Sequence, residues 1–401
     1  MTVHRIREHA GLWAMLAALV AVAAFLVTAA PRVVSRTEDA ALRQAIAESP
    51  SSVRDLTVVT DLANPGVGSL ADERDSIADR LPPILRRAVQ QRWYAVQAAP
   101  GTGIADYFPD FEGVKPKLDV RIQDGFAGAV TLVDGELPGA PQLPPAGADA
   151  LSVEAVVSAE TAAALRLRVG STFEILGERH SSPPLQVRIS GVFRANDPAE
   201  PIWQDHPQSL HPGIPRPLSS DPPTYLGTAL LHPEAVGALA AIGWGSEVTF
   251  RHRLDERRLH AGQTGALATA LGQLATGAHG VPEAYLDTGL DHLVTQFQAR
   301  RGAVAAVVAV VLAGLLGALL GVLLLGVRLA AERRREELRL WRARGASLPT
   351  VAGTLAAECA LPVLPAALLG WGLAMAYPSR AGDLAWPVLA IAAVAIGGLP
   401  W

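Results

Sequence analysis

Cysteine is almost missing from this chain. Cys359 is the single one in 401 residues and lies in an apolar stretch, so no intramolecular disulfide can form. That scarcity does not fix the compartment, because a domain of this size folds without disulfides. Lysine is nearly absent too, with only Lys115 and Lys117. Neither sits in a G-x-x-x-x-G-K-[ST] loop, so the chain supplies no ATPase of its own. There is no G-x-S-x-G and no H-E-x-x-H. His206, His211, His252, His260, His279 and His292 are scattered without metal-ligand spacing. The reading is of a protein that is not an enzyme, with no catalytic residues, no metal and no cofactor of its own. The formal net charge is −4, and residues 11–327 carry −8 of it against a basic segment that follows. An acidic body excludes nucleic acid as a partner, since that needs a basic patch.

What the chain has is long uncharged runs. Gly302 to Val327 is 26 residues without a charge. As a helix it spans roughly 39 Å, enough to cross a bilayer core with some tilt. Directly after it come seven arginines and three glutamates in residues 328–344. So many arginines in a short loop put that side in the cytoplasm. Residues 1–10 are short and basic, and Gly11 to Ala30 is a second uncharged run. Its length favours a first transmembrane helix over a secretory signal peptide ending near Thr28-Ala29-Ala30, and both send the next segment outside. Thr350 to Tyr377, interrupted by Pro362 and Pro365, gives another span. After a polar turn at 378–383, the 18 residues of 384–401 are the minimum for a fourth.

The expected order is therefore a cytoplasmic N-terminus (1–10), span 11–30, an aqueous domain (31–301), span 302–327, a cytoplasmic segment (328–349), span 350–377, an outer turn (378–383) and span 384–401. Within the aqueous domain, Thr37 to Glu48 reads as a helix continuing out of the membrane. Strands are expected at Val53–Thr60, Val130–Val133, Val153–Ser158, Thr172–Leu176, Leu185–Phe193, Tyr225–His232 and Glu247–Leu254. Helices are expected over Asp72–Gln97 (broken at Pro82-Pro83), Ala159–Leu165, Glu234–Ala241 and Thr264–Thr276. Residues 194–224, with Trp203, His206 and His211, read as a Pro-rich loop. Without a regular βαβ beat the class is α+β. The fold class is an α-helical membrane protein with a large α+β extracytoplasmic domain and about four transmembrane helices.

In the second uncharged run, Gly314, Gly317 and Gly321 share one helix face and suit close helix packing. Glu358 is ionisable inside an apolar span; such residues face a protein interior or a water-filled cavity. Its role is either in a lumen or coupling path or as a structural glutamate bonded to a neighbouring helix.

The segment Glu337-Leu-Arg-Leu-Trp-Arg-Ala-Arg-Gly-Ala-Ser347 does more than supply charge. It resembles the cytoplasmic motif of the FtsX-like permease family, the membrane subunits of MacB-type ABC systems. Arg335, Glu337, Leu338, Arg342, Ala343, Gly345, Ala346 and Ser347 match that motif, and Trp341 replaces its usual aliphatic residue. Glu358 and Gly370 fit a glutamate and a glycine of the family's third span. Leu132-Val-Asp-Gly-Glu-Leu-Pro138 and Val156 to Thr172 resemble two of its ectodomain turns. About forty residues match specifically.

The resemblance implies a multi-pass plasma-membrane permease subunit without a cofactor, ATP being bound by a partner ABC ATPase in trans. That ATPase would engage Arg335, Glu337, Leu338, Trp341, Arg342, Gly345 and Ala346, and motion would pass to the outer domain to export or extract hydrophobic or peptide cargo. A homodimer or a second permease half is implied, with the lipid bilayer as surroundings. Two other classes fit the same architecture: a signalling protein regulating an extracellular cell-wall hydrolase, and a membrane-anchored extracellular binding module.

Overall fold

The computed structural model describes residues 10–61, 69–98, 116–141, 151–175, 184–214, 225–333 and 348–376. One-turn pieces apart, the chain begins with α1 (Ala10–Ala47), β1 (Asp55–Asp61), α2 (Leu70–Arg80), α3 (Pro83–Ala88), β2 (Val89–Ala98), β3 (Pro116–Gln123) and β4 (Val130–Gly135). It continues with β5 (Leu151–Ser158), α4 (Ala159–Ala164), β6 (Thr172–Ile175), β7 (Leu185–Ala195), β8 (Tyr225–Leu231), α5 (Ala235–Ala241) and β9 (Ser246–Leu254). It ends with α6 (Thr264–Gln273), β10 (Tyr285–Asp287), α7 (Leu290–Arg333) and α8 (Leu348–Met375). Two compact units result, one from Met1–Leu42 with Gln296–Trp401 and one from Arg43–Thr295.

The described residues of the first unit are helical. Among the described residues, two helices are long and apolar enough to cross a membrane, through Ala17–Ala47 in α1 and Leu290–Val322 in α7. Helix α8 holds a shorter apolar run, Ala360–Met375, and continues through Pro362 and Pro365. Neither long helix stops where its uncharged run stops. α1 carries Pro31 inside it and runs on through Arg32, Arg36, Glu38, Asp39 and Arg43. α7 starts twelve residues before Gly302. The expected outer turn, the expected fourth span and residues 334–347 lie outside the described residues.

The second unit is built on one ten-stranded sheet of order β10-β1-β9-β2-β3-β8-β5-β7-β4, with β6 also paired to β7. Among the described strand pairs only β3·β8 and β5·β7 are parallel. This mixed sheet with a few short helices is the α+β class expected from the sequence. Alternation within the strands sends Val58, Val96, Val120, Ile122, Val153, Val157, Val187, Leu231, Val248 and Phe250 to a main core. Ile77 of α2, Ala162 of α4 and Ala238 and Leu239 of α5 pack there. The other face carries a smaller core of Phe126, Val156, Phe193, Trp203, Leu210 and Leu230, with Phe193 and Trp203 stacked at 6.1 Å.

One expected element is wrong. The helix over Asp72–Gln97 ends at Arg80, resumes for one stretch after Pro82 and gives way to strand β2 at Val89. Trp93, Tyr94 and Val96 suit a pleated surface, and β2 is clamped between β9 and β3, so pairing on both edges overrides helix propensity. Strands β3 and β10 had no counterpart in the sequence reading.

Candidate functional site

The glycines Gly314, Gly317 and Gly321 all lie on α7, and a Cβ built at each meets no atom within 4 Å. That helix is exposed along much of its apolar length, Val307 at 65% and Val310 at 73% among others. Glu358 lies within the span of α8. Arg335, Glu337, Leu338, Trp341, Arg342, Gly345 and Ala346 fall outside the described residues.

Gly370 has a clear physical role. A Cβ there would fall inside the radius of the Ala21 carbonyl oxygen and 3.0 Å from its carbonyl carbon, so the backbones of α8 and α1 touch. Val20 and Ala24 of α1 and Val363, Ala367 and Ala374 of α8 are buried near it in sequence. Small residues at such crossings are what lets two apolar helices pack without a hydrophobic drive between them. At the end of the seam Arg32, itself buried, donates from Nη1 to the Ala374 carbonyl at 2.8 Å and from Nη2 to Met375 Sδ at 2.9 Å. It satisfies an orphan carbonyl at the negative end of α8 with a cation.

In the sheet unit, the chemistry concentrates on the face opposite the main core. Alternation places Asp55 of β1, Arg251 and Arg253 of β9, Gln97 of β2, Arg121 and Gln123 of β3 and Thr228 of β8 on that side. Residues 196–214 lie across them as a strap. Arg253 grips Asp55 through two of its guanidinium nitrogens, Nε on Oδ1 and Nη2 on Oδ2. Arg121 Nη2 donates to Asp205 Oδ2 at 2.6 Å, and Arg251 lies 3.3 Å from Asp205 and 3.6 Å from Asp55. Gln204 Oε1 accepts from Arg54 Nη2 at 2.6 Å and from Arg253 at 3.2 Å. His206 Nε2 is 3.0 Å from Thr228 Oγ1.

This network is buried, and its electrostatics follow from that. Burial raises the Asp55 carboxyl, opposed by the hydrogen bond and charge of Arg253 and by the charges of Arg251 and Arg54. Burial pushes Asp119, on the same face of β3, up to about 6 against the pull of Lys117 and Arg121. His206 is pushed down to about 4 by burial, helped by the charges of Arg121 and Arg251. Among the described residues Gln123 Nε2, Asp205 Oδ1 and Arg251 Nε and Nη1 make no hydrogen bond, so Arg251 meets the two carboxylates as a charge alone. A buried ionic network that is incompletely satisfied adds little net stability over an apolar one; what it confers is a defined geometry.

Sequence reasoning missed this cluster. The signal present was period two, Asp119-x-Arg121-x-Gln123 and Arg251-x-Arg253, inside stretches whose alternate residues are apolar. Such alternation reads as a solvated strand face until the strap is placed over it. Among the described residues no group of three or more His, Cys, Asp or Glu could hold a metal ion.

No family model matches the chain. No curated protein matches it either. One solved structure similar to it is a crystal structure of a domain of a protein, provisionally described as a permease, from Porphyromonas gingivalis. It is 14% identical, covers 59% of this chain and 90% of that domain, and aligns with a TM-score of 0.25.

Proposed function

We propose that this chain is the membrane permease subunit of an ABC transporter of the FtsX-like or MacB-like type. It hydrolyses nothing itself. A separate ATPase in trans engages the basic segment through Arg335, Glu337, Leu338, Trp341, Arg342, Gly345 and Ala346. Movement then passes through the spanning helices to the mixed-sheet domain, which acts on hydrophobic or peptide cargo outside the cytoplasm. The subunit works as a homodimer or beside a second permease half.

The observation that carries this reading is the continuity of two helices. α1 has 38 residues and α7 has 44, each running unbroken from apolar into charged sequence. At 1.5 Å per residue they are rods of roughly 57 and 66 Å, well beyond a bilayer core of about 30 Å. Beyond the apolar stretches Arg301 of α7 pairs with Glu38 of α1 at 2.9 Å, tying the two rods together. A simple anchor needs neither the extra length nor the tie.

Topology is tested by labelling. Single cysteines placed at Thr131 and Ser347, with Cys359→Ala, should label from opposite sides of the membrane, Ser347→Cys from the cytoplasm. Labelling of both from outside would favour the anchored binding module. Capture of a cell-wall hydrolase by the outer domain, with no cargo moved, would favour the signalling protein.

A further inference from the structure

The strap reaches from one half of the sheet to the other and back. It leaves β7 at Asn196, where Thr131 Oγ1 donates to Asn196 Oδ1 at 2.6 Å and the Asn196 N–H donates to the Ala129 carbonyl. At Gln204 it has arrived over β9 and β1. From β7 to β9 is five strand steps in the sheet order, roughly 24 Å at about 4.8 Å each. It then returns through Asp205 on Arg121 of β3, His206 on Thr228 of β8 and the Leu210 carbonyl, which accepts from Ser158 Oγ at 2.7 Å. Ser158 also caps α4, its oxygen accepting from the Thr161 N–H at 3.0 Å.

At its far turn the strap meets the point where α1 hands over to the sheet. Ser51 Oγ donates to the Gln204 carbonyl at 3.3 Å. Arg54 reaches both ways: Nη1 donates to the carbonyl of Ala47, the last residue of α1, at 3.3 Å, and Nη2 to Gln204 Oε1 at 2.6 Å. Among the described strands the half β10-β1-β9-β2-β3 joins the half β8-β5-β7-β4 only through the β3·β8 pair.

We propose that Arg54 and the strap form a second connection between the two half-sheets, one that delivers a displacement of the last turn of α1 directly to β8 and the start of α4. Arg54 is a positioning residue here, and Gln204, Asp205 and His206 are the successive contacts of the link. Its polar make-up suits the task. Apolar contacts tolerate sliding, whereas Asp205, hydrogen-bonded to Arg121 and charge-paired with Arg251, and Gln204, bonded to Arg54 and Arg253, hold a register. This deepens the transport reading, yet its test needs neither ATPase nor cargo, so the two can fail separately.

The experiment perturbs one end and reads the other. Hydrogen exchange is measured on the full chain in lipid nanodiscs for wild type, Arg54→Ala, Asp205→Asn and the double variant. Arg54 touches neither β8 nor α4 in any hydrogen bond or ion pair described above. With the link intact, Arg54→Ala should raise exchange about tenfold in residues 199–211 and in residues 158–164 and 225–231. In the Asp205→Asn background the same change should add nothing at the distal peptides, because coupled sites are not additive. An Arg54→Ala effect confined to residues 51–61 and 199–206, or full additivity at the distal peptides, would overturn the proposal. If Asp205→Asn unfolds the domain throughout, Thr228→Val cuts the link at His206 instead and is read by the same cycle.

Discussion

Gly370 and Ala21 are in backbone contact across α8 and α1, with no room for a methyl group between them. This makes a glycine expected only from resemblance a packing requirement of the described helices. Gly370→Val should therefore force the pair apart, an overpacking cost of about 1–3 kcal/mol. The neighbouring Gly372 has open space around it, so Gly372→Val is the control. Thermal unfolding in detergent, followed by static light scattering, should show a lower midpoint for the first variant and an unchanged one for the second.

Gly135 is another glycine with no room for a side chain. Its φ is +74°, and a Cβ would press on the Ser190 carbonyl oxygen and lie 2.8 Å from Gly191 Cα. Gly135 pairs with Gly191 just after β4 shifts register against β7 between Leu132 and Asp134. Gly135→Ala should cost about 1–3 kcal/mol in urea unfolding, and Gly128→Ala, with nothing nearby and an ordinary φ, should cost under about 1 kcal/mol.

Asp55 is fully buried and gripped by Arg253. Removing one partner of such a pair leaves a charge stranded, so Asp55→Ala should destabilise the sheet domain by about 3–5 kcal/mol. The double change Asp55→Leu with Arg253→Met should recover much of that loss in the same denaturation assay.

The buried histidines set an acid limit. His206 and His252 are each held down to about 4 by burial. An unfolded chain takes up those protons near pH 6.5, so stability is complete above that value and falls as pH drops toward about 4, by up to roughly 3 kcal/mol for each. Asp119, pushed up to about 6, works in the opposite direction. Its contribution is fully present below about pH 4 and is lost as pH rises through about 6. Denaturation midpoints between pH 7.5 and 4.5 should fall for wild type and fall less for His206→Asn. Asp119→Asn should be the more stable protein at pH 7.5 and show no advantage at pH 3.5.

The contrast between legible and hidden features has a physical source. Strands such as β5, β7 and β9 were readable because one face is apolar at period two. The helical parts of α1 and α7 were readable from uncharged length, although their continuation through Arg32 and before Gly302 was readable only in part. β2 was misread because its character depends on neighbours far away in sequence, Leu254 and Arg251 among them. The buried ionic face was invisible for the same reason. Arg121 and Arg251 look solvated until Asp205, 84 and 46 residues away, is laid over them.

The central claim, that the basic segment docks an ATPase in trans, is tested most directly by affinity purification of the full chain from its native membranes with ATP hydrolysis assayed in the eluate. Wild type should retain a P-loop ATPase and its activity, while Arg342→Glu and Gly345→Asp, present in equal amount, should lose both. An eluate without ATPase, or one in which both variants keep it at the wild-type level, would contradict the account.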